Sequence, residues 1–414
     1  MCIRDRGWSS ELYALGKAEG HLDPMIDQAF ATGLSGQPLT PAEVNFFATR
    51  GPGDLVGAIH IPTLLVQGTV DNLFTLQEAV ENYRVLRQDG TPVSMLWFCG
   101  GHGICITNPG NEQLITEDTV NWLDRYLKRD LGVSTGPAFQ WVDQYGVEHT
   151  ATDYPMAAGV PLSADGSGTL PITEAGGAGP VTQPSTVQSS SGASVATLAG
   201  PIAPARAANA VDVTVPAPES TRYVVGAPQL TFTYSGVGAG ENVQSTSIFA
   251  QIVDDATGYV LNNQITPIQV TLDGATHTVS VPLEVLSATD RPGERFTLQM
   301  VASTTAYNPQ RAVGEITFSQ IHIELPTVDP AATPPGYGSV APNGCSRGGI
   351  VTLHLPAGTR AATAALGRRV LARGRRTLRL DLVGLGLRTI TVRIVMRRAA
   401  GRRHVESLRL HACP

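Results

Sequence analysis

Ile61–Ile106 reads IPTLLVQGTVDNLFTLQEAVENYRVLRQDGTPVSMLWFCGGHGICI, and the fold turns on how this stretch divides. Ile61–Gln67 and Val93–Phe98 are short, nearly continuous apolar runs, the pattern of parallel strands buried on both faces. Between them Leu76, Ala79, Val80, Tyr83 and Leu86 recur at helical spacing. Thr75 and Glu78 are spaced as a capping box, and Gly90 supplies the stop. Strand, helix, strand makes a βαβ unit with a right-handed crossover. Asp71 then follows the first strand and His102 the second, at the edge where open α/β sheets place their chemistry.

An acid and a histidine on adjacent strand ends are two parts of a nucleophilic relay. The imidazole takes a proton from a nucleophile, and the carboxylate fixes its tautomer and stabilises the imidazolium. Asp54 competes for the acid role but precedes the strand and reads as a turn residue. The pattern IPTLLVQGTVDNLFTLQEAVENYRVL…FCGGHG resembles the last third of an α/β-hydrolase. It is most similar to the Xaa-Pro dipeptidyl-peptidase (peptidase S15) and CocE/NonD acyl esterase group. That resemblance implies a Ser-Asp-His chain order, with Asp71 and His102 as the catalytic acid and base. The serine is expected upstream in a G-x-S-x-G elbow. No such elbow is expected anywhere in this chain; Ser35 in Gly33-Leu34-Ser35-Gly36 is the nearest imitation and lacks a preceding buried strand. The chain therefore reads as one that starts after its nucleophile, N-terminally truncated and inactive by itself.

The 414 residues leave room for two or three domains, and 44 Gly with 29 Pro favour turn-rich β structure and linkers over helix bundles. No run of eighteen apolar residues occurs, so no transmembrane segment is expected. Met1–Arg6 is set apart as foreign to the fold; no signal peptide is read, which carries no information in a chain expected to be truncated at its start. The expected fold class is α/β plus all-β. Residues 1–136 form the C-terminal part of an α/β-hydrolase domain, with cap helices over 8–58 and the last strands and helices over 59–132. The helix predicted over Asn111–Leu131 packs Val120, Leu123, Leu127 and Leu131 back onto the sheet. Phe139–Pro155 reads as a hairpin opening the next domain.

Residues 137–326 alternate as short strands, with Asp273-Gly274 as a hairpin turn and a low-complexity, mobile insertion over about 163–220. Here YSGVGAG, IFAQIVDDATG, TPIQVTLDG and FTLQMVASTTAYNP resemble the jelly-roll β-sandwich that follows the catalytic domain in the same group. Residues 327–344 read as a linker, and 345–414 as a small basic β-sandwich module.

Five cysteines suggest two local pairs and an oxidising, secreted or cell-surface location. Cys99–Cys105 would pin the loop carrying His102, and Cys345–Cys413 would staple the last module. Cys99, His102 and Cys105 lack a fourth ligand nearby, so neither metal nor cofactor is expected. From Cys345 to Cys413 there are 15 Arg, no Lys and two acids, Asp381 and Glu406. That module reads as a solvated sandwich face, with binding of an acidic surface polymer as the alternative. Without Phe, Trp or Tyr to stack on bases it predicts no nucleic-acid partner. The substrate is a peptide or an ester. The rival reading is a non-catalytic, secreted β-sandwich protein that binds a surface or carbohydrate.

Overall fold

A computed structural model describes residues 6–35, 37–179, 204–239, 244–307, 309–328, 350–355, 359–367, 369–381, 388–398 and 403–412. The chain divides into two units, residues 1–144 with 150–334, and 145–149 with 335–414.

The first unit opens with three helices, α1 (Arg6–Glu19), α2 (Pro24–Ser35) and α3 (Pro41–Ala48). Asp23 caps α2 through its carboxylate on the Met25 amide at 2.9 Å. Thr40 and Glu43 form the reciprocal capping box of α3. A 3-10 turn (Gly53–Ala58) then leads into β1 (Thr63–Gly68), α4 (Leu76–Gln88) and β2 (Val93–Phe98). β1 and β2 pair in parallel, Thr63 with Val93 through Gly68 with Phe98. The βαβ unit is as the periodicity predicts. The Thr75–Glu78 box is not formed: Thr75 is the N-cap, but its side chain caps nothing, and Glu78 N donates instead to the Thr75 carbonyl at 3.0 Å.

Beyond β2 come α5 (Leu114–Tyr126), β3 (Phe139–Val142) and β4 (Glu148–Ala151). β3 and β4 are neighbours in one sheet, as the hairpin predicted over Phe139–Pro155 requires; what changes is its place, for β3 also runs parallel to β2, Met95 beside Phe139 and Trp97 beside Trp141. It is therefore a third strand of the α/β sheet, past the expected boundary at 136. Its burial explains this. Phe139, Trp141, Met95, Trp97 and the inner face of α4 share one core, while Leu96, Val142 and Leu114 pack on the opposite face. The α5 stripe is also corrected. Val120, Leu123, Leu127 and Leu131 are exposed, and the helix docks through Leu114, Ile115 and Trp122. Trp122 Nε1 donates to Pro62 O at 3.4 Å and Gln140 Nε2 to Asp118 at 2.6 Å, so polar anchors set the inner face. Burial raises the Asp118 carboxyl above its ordinary value despite the Gln140 bond.

The rest of the first unit is β structure: β5 (Leu162–Ile172), β6 (Ala210–Val215), β7 (Arg222–Gly226), β8 (Gln229–Gly238), β9 (Gln244–Asp254), β10 (Val260–Pro282), β11 (Leu286–Asp290), β12 (Phe296–Val301), β13 (Gly314–Leu325) and β14 (Thr327–Val328). Seven strands form one sheet in the order β5-β13-β8-β10-β9-β12-β6, and β11-β7-β14 form another. A single core draws Leu170, Phe232, Ile316 and Phe318 from one half of the large sheet and Val213, Ile252, Leu298 and Met300 from the other.

Asp273-Gly274 is not a hairpin. β10 is one strand of 23 residues that pairs with β9 up to Leu272 and with β8 from Thr276, bending at Gly274 with φ 77°. The insertion over 163–220 is likewise corrected at both ends, where β5 and β6 are regular. Its glycines serve packing: a Cβ on Gly166 or Gly168 would lie 2.5 or 2.8 Å from Val213 or Val211 of β6. Residues 180–203 lie outside the described residues.

The second unit contains β15 (Ile350–His354), β16 (Thr359–Leu366), β17 (Arg369–Gly374), β18 (Thr377–Asp381), β19 (Arg388–Arg398) and β20 (Arg403–Ala412). β15 pairs with β18, and the others form a sheet in the order β17-β16-β19-β20. Ala362, Ala364, Leu378, Leu380, Val392, Ile394 and Met396 make its core. Cys345 and Cys413 lie outside the described residues. Among the described residues no helix is long and apolar enough to cross a membrane.

Candidate active site

β1 ends at Gly68 and β2 at Phe98, but their association continues past the strands. Thr69 N donates to Phe98 O at 2.8 Å and Val70 N to Gly100 O at 3.2 Å. The two loops therefore leave the sheet together. Within the first, Asp71 closes a side-chain turn, its Oδ1 accepting the amides of Leu73 at 3.0 Å and Phe74 at 2.8 Å. Those bonds aim Oδ2 at the second loop, where His102 Nδ1 lies 2.9 Å away. The Asp71 side chain is buried, at 7 % exposure, while the His102 side chain keeps 42 %. A buried acid under a half-exposed imidazole can hold one tautomer, with Nδ1–H donating to the carboxylate, and leaves proton transfer to Nε2. Phe74 stands edge-on to the imidazole, ring centroids 5.6 Å apart.

Glycine lets the loops approach this closely. Gly103 is buried, and a Cβ there would collide with the Val70 carbonyl; one on Gly68 would collide with the Gly100 carbonyl. Gly103→Ala must part the acid loop from the histidine loop. In a protein that supplies the serine it is expected to lower kcat/KM by about 10²-fold, and to destabilise the fold by about 1–3 kcal/mol. Paired kinetics and denaturant melts of the variant measure both; unchanged turnover would contradict the seam.

Cys99 and Cys105 are bonded, with their Cα atoms 5.4 Å apart, and the bridge closes the loop on which His102 sits. Removing both thiols as Cys99→Ser/Cys105→Ser is expected to cost about 2 kcal/mol through the freed loop. Thermal denaturation with and without reductant reads this: reductant should lower the melting temperature of the parent by more than it lowers the variant's.

Asp54 lies in the 3-10 turn before β1, away from the strand ends. Ser35 ends α2, its Oγ donating to Thr32 O at 2.7 Å and its carbonyl accepting from Arg311 at 2.8 Å. Ser35 does not join the Asp71–His102 pair. The expectation of no G-x-S-x-G in the chain is corrected: two such sequences occur downstream of His102, around Ser134 and Ser346. Ser134 lies between α5 and β3, before its strand, whereas Asp71 and His102 follow theirs. In a parallel sheet that places Ser134 at the opposite edge, and its Oγ accepts from Gly136 N at 3.3 Å. Ser346 lies outside the described residues. Among the described residues no group of three or more His, Cys, Asp or Glu could hold a metal ion.

Sequence reasoning missed the contribution of β10. Asn263 and Gln264 reach the two loops from more than 150 positions away, with no signal beyond a polar run, Asn262-Asn263-Gln264, interrupting an apolar strand.

No protein-family profile matches the sequence, and no curated protein matches it. Solved structures do. A CocE/NonD family hydrolase from Staphylococcus aureus superposes with a TM-score of 0.53 at 12 % identity, over 78 % of this chain and 62 % of that one. An α-amino acid ester hydrolase gives 0.53 at 13 %, over 72 % and 62 %. An aminopeptidase from the marine sediment archaeon Thaumarchaeota archaeon gives 0.50 at 14 %, over 69 % and 58 %. The chain thus spans 58–62 % of the length of these proteins. At such identities the likeness is one of architecture: over the matched residues the chain shares the fold of these hydrolases.

Proposed function

We propose that the chain carries the acid and base of a serine hydrolase, Asp71 and His102, and that the nucleophilic serine is not among its described residues. The observation that carries this reading is the 2.9 Å approach of Asp71 Oδ2 to His102 Nδ1 just past the carboxyl ends of two adjacent parallel strands. In the reaction a serine hydroxyl gives its proton to His102 Nε2 as its oxygen attacks an acyl carbonyl. The imidazolium, stabilised by Asp71, then returns that proton to the leaving group. The oxyanion donors of such folds come from the residue after the serine and from an earlier loop. The chain by itself is accordingly inert.

Among the fold neighbours one is named for α-amino acid esters and another as an aminopeptidase. A carbonyl of an α-amino acid, as ester or peptide, is the substrate class that fits both. The β-rich remainder of the first unit is the jelly roll that follows the catalytic domain in this group, and the Cys99–Cys105 bridge fits a protein that works outside the reducing cytosol.

The test starts from the reading frame upstream of Trp8. A G-x-S-x-G there after a buried strand, in a protein that a fluorophosphonate labels on that serine, supports the proposal. Turnover by the purified 414-residue chain, abolished by His102→Ala, would refute its inertness. An upstream frame without such a serine, and no labelling, would leave a binding module.

A further inference from the structure

The acid and histidine loops do not hold each other alone; a corner of the β-rich part grips both. β10 pairs with β9 at Val260 opposite Val253, and the register then shifts before Ile265 meets Gln251, so residues 261–264 leave the ladder. Asn262 and Asn263 both take φ of 52°, a left-handed conformation that asparagine tolerates better than most side chains. The excursion is tied down at its start, where Asn262 Oδ1 accepts the Ser287 amide at 2.8 Å. The next two residues turn towards the loops. Asn263 Nδ2 donates to the carbonyl of Ile104 at 3.2 Å. Gln264 Nε2 donates to the carbonyls of Asp71 at 2.8 Å and of Thr69 at 3.3 Å. Both side chains are buried, at 1 % and 3 % exposure.

We propose that Asn263 and Gln264 are positioning residues for the Asp71–His102 pair, holding the turn that aims the carboxylate and the loop that carries the imidazole against one rigid corner. This rests on the reading of Asp71 and His102 as acid and base. Chemistry fixes the orientation of the Gln264 amide. Both partners are carbonyl oxygens, so the NH₂ must face them and uses its two hydrogens on either side of Val70. Its Oε1 is then buried with no partner among the described residues, so the side chain serves as a double donor and its acceptor goes unused. The same amide clamps the residue whose carboxylate meets His102. Its neighbour Asn263 clamps the position two residues beyond His102. The segments meet at Gly103, where an added Cβ would also stand 3.6 Å from Asn263 Nδ2. Adjacent residues of one strand thus span two loops 31 positions apart in sequence.

The role predicts an effect on the Asp71–His102 bond beyond any effect on folding. The test is proton NMR of the 414-residue chain, ¹⁵N-labelled at histidine. It follows the His102 Nδ1–H proton, identified by its loss in Asp71→Asn, and its exchange with water. Gln264→Met keeps the side-chain volume, deletes both donors and also removes the unused acceptor, so the fold should tolerate it. Asn263→Gly keeps the left-handed backbone and deletes the other donor. Each is expected to speed exchange of that proton by about tenfold. The control is Gln299→Met. Gln299 is another buried amide of the large sheet, donating to Ala207 O at 3.2 Å and Asp212 at 2.8 Å. It should lower the melting temperature without moving the His102 proton.

Folded Gln264→Met and Asn263→Gly proteins whose His102 proton exchanges as in the parent would overturn the positioning role and leave the acid–base reading intact. Equal acceleration in Gln299→Met would also overturn it, as mere loss of stability. A parent spectrum with no Asp71-dependent proton would remove the pair itself, and both readings with it. Should Gln264→Met fail to fold, Asn263→Gly alone decides.

Discussion

Replacing His102 with alanine, in a protein that supplies the serine, is expected to lower kcat/KM by about 10⁴-fold with little change in KM. The imidazole accepts its proton only as the serine attacks, so its loss removes an interaction made in the transition state and spares substrate binding. Asp71→Asn should cost a similar factor for a different reason. A carboxamide facing Nδ1 can present its NH₂ and select the wrong tautomer, while the Leu73 and Phe74 amides lose their ionised acceptor. Because the two residues act as one relay, the double variant should be barely slower than either single one. Steady-state kinetics on all three variants decides this. Losses that multiply, or an Asp71→Asn enzyme within tenfold of the parent, would show that the 2.9 Å contact is a structural ion pair.

How far the sequence could be read follows from which residues advertise their surroundings. The βαβ unit was legible because strands buried on both faces need unbroken apolar runs, and Ile61–Gln67 and Val93–Phe98 supply them. Asp71 and His102 were legible because a strand end is a fixed place. Gly166 and Gly168 misled because composition does not distinguish a glycine that frees the chain from one that makes room for a neighbouring strand's valine. Asp273-Gly274 misled because the same pair that closes a hairpin also bends a long strand. In α5 the spacing of Val120, Leu123 and Leu127 is helical, but Trp122 and the Asp118–Gln140 bond choose the docking face. The grip of Asn263 and Gln264 on the loops was not legible at all. A polar run in a strand carries no address, and only the tertiary fold shows where it points.

The second large effect lies in β11, whose five residues are all buried and whose last is Asp290. Its neighbour Thr289 joins β11 to the end of the α/β sheet, its hydroxyl donating to Asp143 at 2.6 Å and its backbone exchanging two bonds with the Gln144 amide. Asp290 itself is fully buried, and neither carboxylate oxygen has a hydrogen-bond partner among the described residues. Arg222 lies directly across the ladder, but its Nε is buried and also has no hydrogen-bond partner among the described residues. Burial, with the nearby charges of Glu294 and Asp254 adding to it, pushes the Asp290 carboxyl up to about 7. An unfolded chain ionises the same group near 3.9. Between those values the folded protein holds a proton that the unfolded chain has released, so stability falls as pH rises from about 4 to 7 and levels off above. The cost at pH 8 is at most about 4 kcal/mol. Asp254, raised chiefly by its own burial, adds a slope of the same sign. Asp290→Asn keeps the shape and removes the titration. In urea melts it should be more stable than the parent by up to that amount at pH 8 and nearly equal to it at pH 4. A variant whose advantage is the same at both pH values, or that is weaker at pH 8, would mean that Asp290 is ionised in the folded protein and paired with Arg222.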